Sequence, residues 1–147
     1  MKLISHRGNL KGRVPNKENR PSYVDCAIQL GYDVEVDVRY INEEFWLGHD
    51  EPDYKVSVEW LYKRKDKLWI HCKDIESSQK LRSLPNQYQY FCHNNDPYIL
   101  TSTGHLWVHD LTLRLDNQCI IPLLDRDSIS NNNINYVYAI CSDYLIL

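Results

Sequence analysis

Residues 33–39 alternate without a break, with Val34, Val36 and Val38 on one side and Glu35, Asp37 and Arg39 on the other. A period of two is a β-strand pattern, and it puts three valines on one face and acidic residues with an arginine on the opposite one. What precedes this strand is equally directive. Residues 2–6 read as a strand and 9–20 as a polar loop. Tyr23, Cys26, Ala27 and Leu30 then fall at i, i+3, i+4 and i+7, one helical face, with Pro21 suited to a first helical position and Gly31 to the C′ position.

The same order continues to about residue 86. A short strand is predicted at 45–47. Ser57 can cap a short helix whose Val58, Leu61 and Tyr62 face inward. A further strand covers 68–73, with Trp69, His71 and Lys73 sharing one face. Asp74 can cap a helix bearing Ile75, Leu81 and Leu84, with Lys80 and Arg82 near its end and Pro85 beyond it. Strands separated by single helices predict parallel pairing through crossovers. Beyond residue 86, short apolar runs recur at 88–92, 98–100, 105–109, 119–124 and 136–141, helical spacing is scarce, and 127–135 reads as a polar loop. The predicted fold is α/β. It is a shortened TIM-like (β/α) barrel over one domain, 1–147, with helices mainly in the first half and several missing in the second. A standard (β/α)8 barrel starts near roughly 200 residues, so an open or incomplete barrel is the structural alternative.

Composition narrows the function classes. A net charge of -3 gives no case for nucleic-acid binding. No apolar stretch approaches the roughly 18 residues of a membrane span. The chain enters a strand at Lys2 without an apolar leader, so a cytoplasmic location is expected. Cys26, Cys72, Cys92, Cys119 and Cys141 are odd in number, widely spaced and set in apolar runs. They fit free thiols packed as small hydrophobes better than a disulfide framework or a zinc knuckle.

In a barrel, Glu35 and Asp37 point inward near the C-terminal mouth, where such folds keep their active sites. Carboxylates two apart on one strand face can converge on a hard cation such as Mg²⁺ or Ca²⁺. A solvated acidic face is the bland alternative. The 68–73 strand weighs against it, because it also points a histidine and a lysine to one side. His6 and His49 end strands and open onto loops, where function concentrates, although a lone histidine is often structural. Arg7 can form a bidentate fork on a phosphate. No nucleophile elbow, P-loop or dinucleotide fingerprint is present. Two imidazoles, two carboxylates and an arginine are the parts needed to cleave a phosphate ester around a divalent metal.

His6-Arg7-Gly8, Glu18-Asn19, Gly31 followed by Glu35-x-Asp37, and His49-Asp50 together resemble the signature of glycerophosphodiester phosphodiesterases. These are metal-dependent enzymes on a TIM-type barrel, in a larger group with phosphatidylinositol-specific phospholipases C and spider-venom phospholipases D. His71-x-Lys73 is similar to the family's third-strand pair, usually an acidic metal ligand followed two residues later by lysine. Cys141-Ser142-Asp143-Tyr144 resembles its closing strand. The resemblance is weak between residues 86 and 135. It implies that His6 and His49 are the general acid and base, and that Glu35 and Asp37 hold the metal. It makes Glu18 a metal-binding or supporting carboxylate, and Arg7 and Lys73 the phosphate-binding cations. His71 stands where the family has a carboxylate, and an imidazole ligand shifts preference from Mg²⁺ and Ca²⁺ toward Mn²⁺ or Zn²⁺. The expected function is metal-dependent hydrolysis of a small, glycerophosphodiester-like substrate. Two alternatives stand beside it: a catalytically silent phosphate- or phosphodiester-binding protein on the same fold, and a phospholipase D-like enzyme releasing a cyclic phosphate. A truncated barrel with exposed edge strands also suggests a homo-oligomer.

Overall fold

A computed structural model describes residues 1–131 and 134–146. The chain runs β1 (Lys2–His6), α1 (Pro21–Gln29), β2 (Asp33–Ile41), β3 (Glu44–Leu47), β4 (Tyr54–Val56), α2 (Val58–Arg64) and β5 (Leu68–Cys72). It continues through α3 (Ile75–Ser83), β6 (Tyr90–Phe91), β7 (Tyr98–Leu100), β8 (Leu106–Val108), β9 (Cys119–Pro122), α4 (Arg126–Asn131) and β10 (Ala139–Ser142). The expected caps are in place. Ser57 Oγ accepts from the Trp60 N–H at 3.0 Å, and Asp74 Oδ1 from the Ser77 N–H at 2.9 Å.

The fold is mixed α/β, built on one curled sheet. Its parallel strands lie in the order β6-β5-β2-β1-β10-β9-β8, and β7 pairs antiparallel with β8. β3 folds back on the end of β2 through Asn42 and Glu43, both left-handed (φ 50° and 64°), the conformation of a two-residue type I′ hairpin. The curl is visible in one contact. Phe91 of β6 and Trp107 of β8 belong to opposite ends of the parallel run, yet their rings stack with centroids 4.4 Å apart. In a flat sheet, strand spacing would separate them by roughly 29 Å. Ser102, in the turn between β7 and β8, ties the same two ends together. Its N–H donates to the Tyr90 carbonyl, and its hydroxyl accepts from the Tyr90 N–H and donates to the Tyr88 carbonyl, each at 2.8 Å.

Alternation on the strands then yields three packed regions. Inside the curl, Ile4, Trp69, Phe91, Trp107, Ile120, Ala139 and Cys141 form one cluster. Outside the first half, Val34, Val36 and Val38 meet Val24, Ala27, Leu61 and Leu81 from the three helices. Outside the second half, Val108, Cys119, Ile121, Leu123 and Ile140 are covered by Leu111, Leu115, Ile129, Ile134 and Val137. Loops and one short helix there replace the helical layer, which is how the second half dispenses with its crossover helices.

Several local expectations are corrected. On α1 the buried face is Val24 and Ala27, whereas Cys26 and Leu30 are exposed. On α2 only Leu61 is buried, and Val58 and Tyr62 lie in solvent. Ile75 on α3 is also exposed. Each helix touches the sheet along a strip narrower than its apolar arc. Within the predicted polar loop at 127–135, α4 forms because Asp125 accepts from both the N–H and the hydroxyl of Ser128. Residues 132 and 133 of that stretch lie outside the described residues. Cys92, like Cys26, is exposed, while Cys72, Cys119 and Cys141 are buried; all five are free thiols. No helix among the described residues is long and apolar enough to cross a membrane.

Candidate active site

The acidic face of β2 points into the curl. Glu35 is 3% and Asp37 0% exposed, so these carboxylates are not a solvated surface. β5 is the parallel neighbour of β2, with Asp37 opposite His71, and the pleat turns all three side chains the same way. Their ligand atoms lie within 4.8 Å of one another. His71 Nδ1 is 3.2 Å from Asp37 Oδ1 and 3.8 Å from Glu35 Oε1. Its other ring nitrogen, Nε2, lies 3.3 Å from the His93 carbonyl. A carbonyl only accepts, so a proton on Nε2 would serve that contact and free Nδ1 to act as a ligand nitrogen beside the carboxylates.

Glu35 Oε2 and Asp37 Oδ1 are buried without a hydrogen-bond partner. Two buried carboxyl oxygens without hydrogen-bond partners and a facing imidazole nitrogen are a donor set suited to a divalent cation. The two carboxylates also titrate apart. Burial and the neighbouring Asp37 charge push Glu35 up. Burial would raise Asp37 as well, but the adjoining His71 ring, the Arg7 charge and the Asn19 amide hold it well below the usual carboxylate range. Asn19, left-handed at φ 63°, donates to Asp37 Oδ2 and accepts from the Asp37 N–H, both at 2.9 Å.

His6 faces this group from β1, with Nε2 3.8 Å from Glu35 Oε2. Its Nδ1 lies 2.8 Å from Asp143 Oδ1, just past the end of β10. An ionised carboxylate only accepts, so Nδ1 carries the proton and Nε2 turns to the cavity. Burial opposes a charge on His6, but Asp143 and Glu35 raise its pKa overall. Asp143, outside the expected catalytic set, therefore orients His6, and Asn9 shares its Oδ1 at 2.8 Å.

Arg7 is part of the wall. Its Nη1 donates to Glu18 Oε2 at 3.2 Å, and its Nε lies 2.9 Å from Asp37 Oδ2, close but outside hydrogen-bond alignment. Glu18 stands apart from the converging metal-type ligands. It takes Arg7, Asn9 and Arg13, and despite its burial these bonds lower its pKa. Gly8 keeps the turn after Arg7 tight, since a Cβ there would sit 2.6 Å from Tyr23 Cδ1.

His49 is on the loop after β3. Its side chain is 41% exposed, and Nδ1 meets Asp50 Oδ1 at 2.7 Å. Gly48 permits that loop: a Cβ there would fall 1.8 Å from the Glu51 carbonyl oxygen, at φ 153°. Arg39 Nη2 holds the loop by donating to the His49 carbonyl at 2.5 Å.

A cavity of ≈ 550 Å³ gathers His6, Arg7, Glu35, His49, His71 and Lys73. A neighbouring one of ≈ 610 Å³ shares His6, Arg7 and His49 and adds Glu18. The expected site residues thus line one cleft, with Asp37 buried behind Arg7. Two histidines outside the expected set also line it, His93 and His109, their rings stacked 3.7 Å apart at 9°. Burial and neighbouring imidazoles lower both, His109 to about 4, so the pair is neutral at pH 7. The alternation of His105, Trp107 and His109 carried a signal for one of them. His93 follows a two-residue strand, too short to show a period.

No family model, curated protein or solved structure matches this chain.

Proposed function

We propose that this chain is a metal-dependent phosphodiester hydrolase acting on a glycerophosphodiester-like substrate, carried on a shortened TIM-like barrel. The observation that carries the reading is the convergence of Glu35, Asp37 and His71, with unpartnered buried oxygens, in a cleft shared with His6, His49, Arg7 and Lys73. Glu35, Asp37 and His71 would hold a divalent ion, whose chemistry there is to polarise a phosphoryl oxygen. The donor set admits Mg²⁺ or Ca²⁺ through its carboxylates, and Mn²⁺ or Zn²⁺ through its imidazole.

The side chains divide the remaining work. Lys73 and the uncommitted N–H groups of Arg7 offset the phosphate's charge. One histidine takes a proton from the nucleophile, either water or a neighbouring substrate hydroxyl. The other protonates the leaving alkoxide. His6 is held for such a transfer by Asp143, which fixes its tautomer and ring plane.

The test is calorimetric titration of the protein with Mg²⁺, Ca²⁺, Mn²⁺ and Zn²⁺, then turnover of glycerophosphocholine and of bis(p-nitrophenyl) phosphate. Turnover should require metal. His6→Ala and His49→Ala should each lower it by about 10²-fold or more, with circular dichroism unchanged. Turnover surviving both substitutions overturns the acid–base assignment. Binding of metal and diester without turnover replaces it with a phosphodiester-binding protein. A cyclic phosphate product replaces hydrolysis with intramolecular transfer.

A further inference from the structure

Behind the cleft wall, on the outer face of the sheet, two cysteines lie side by side. β5 and β6 pair in parallel with Ile70 opposite Tyr90 and His71 opposite Phe91. One step further along that register sets Cys72 opposite Cys92. Paired strands run about 4.8 Å apart, inside the roughly 4.4–6.8 Å Cα separation of disulfides. His71 and Phe91 stack ring on ring inside the curl, centroids 5.1 Å apart at 10°, so the residues that follow them both turn outward. The ladder stops at Phe91, which leaves the Cys92 backbone free of strand pairing and able to close the remaining gap.

The two thiols are unequal. Cys92 is exposed and Cys72 buried. Ser78 of α3 brings its hydroxyl oxygen to 2.9 Å from Cys92 Sγ. A cavity of ≈ 620 Å³ reaches both, lined also by His71, Lys73 and His93. Cys26 is exposed on α1 but is no neighbour of either, and Cys119 and Cys141 are buried.

We propose that Cys72 and Cys92 form a dithiol that closes to a disulfide on meeting a low-molecular-weight disulfide such as oxidised glutathione. Cys92, as thiolate, attacks one sulfur of the reagent. A glutathione thiolate leaves, and Cys92 holds the other half as a mixed disulfide. Cys72 then gives up its proton to solvent and attacks Cys92 Sγ, expelling the second glutathione. Two protein thiols are oxidised and one glutathione disulfide is reduced to two thiols. The bond clamps β5 to β6 at the end where His71, Lys73 and His93 stand, and it does not depend on what the cleft binds.

The experiment is incubation of the folded chain with oxidised glutathione, blocking of remaining thiols after unfolding, and peptide mapping by mass spectrometry. A Cys72–Cys92 linked peptide should dominate, with Cys26 stopping at a glutathione adduct and Cys119 and Cys141 recovered as thiols. In Cys72→Ser, Cys92 should also stop at the adduct. A wild-type Cys92 that keeps its glutathione, or one that does not react while Cys26 does, overturns the proposal.

Discussion

Replacing Asp143 by asparagine keeps the side-chain shape and removes one charge. In the wild type, fully buried Asp143 accepts from His6 Nδ1 and Asn9 Nδ2, both at 2.8 Å. A hydrogen bond to a charged group contributes about 1.5–3 kcal/mol. With His6 protonated, the variant should therefore lose about 2 kcal/mol, roughly a thirty-fold shift of the folding equilibrium. The pH dependence has a definite sign. The folded state raises the pKa of His6 above 6.5, so its stabilisation is complete below that value and fades as pH rises through the folded value. The gap between wild type and variant should be widest in acid and narrow toward alkaline pH. Urea unfolding with a chelator present, from about pH 5 to 9, measures this. Activity should fall for a separate reason. The asparagine oxygen still accepts from Nδ1 and Asn9, but it no longer offsets the positive charge that His6 carries when it holds a second proton. The cost should be about 10²–10⁴-fold in kcat, with KM little changed. Wild-type turnover in Asp143→Asn, or a stability loss equal at every pH, refutes the orienting role.

Glu35→Gln should trade function for stability. Its carboxyl is pushed up by burial and by Asp37, so ionisation costs stability increasingly as pH climbs above 4.5. Removing it should stabilise the metal-free protein by about 1 kcal/mol at pH 7 while abolishing metal binding. Thermal unfolding with and without Mn²⁺ reads both, and a metal-free variant weaker than wild type contradicts this. His71→Glu should move metal preference toward Mg²⁺ and Ca²⁺ and away from Mn²⁺ and Zn²⁺, because a hard oxygen replaces an imidazole. An unchanged metal ranking would place His71 outside the ligand set. Lys73→Met should weaken binding of an inert phosphodiester about tenfold and leave metal affinity intact; calorimetry showing both unchanged would make Lys73 a bystander.

How much of this was legible in the sequence depended on how local each signal was. The alternation on β2 correctly divided Val34, Val36 and Val38 from Glu35 and Asp37, because a strand's period is fixed by its backbone. The caps at Ser57 and Asp74 were legible for the same reason. Helix faces were legible only in part. Of Tyr23, Cys26, Ala27 and Leu30, which match the spacing on α1, only Ala27 is buried; the strip that meets the sheet runs through Val24 and Ala27, and only the docked sheet decides that. α4 was hidden because its residues are polar and its cap, Asp125, lies outside an apolar run. The partnership of Asp143 with His6 was least visible. It arises from the parallel pairing of β1 with β10, where Ser5 faces Ser142 across 137 positions of chain, and no local pattern records it.

That pairing also sets an order of events during synthesis. A ribosome delivers β1, β2 and β5 early, so Glu35, Asp37 and His71 can come together while most of the second half is still untranslated. β1 meanwhile waits with one edge open, and His6 is without its carboxylate, until β10 has been made and docked. Long-range closure of this kind is slow, and domains are built from the N-terminal side at about 5–20 residues per second. A nascent chain is therefore able to assemble its acidic cluster well before its histidine is aligned. In such a protein catalytic competence would be among the last properties acquired, switched on by the arrival of a single strand.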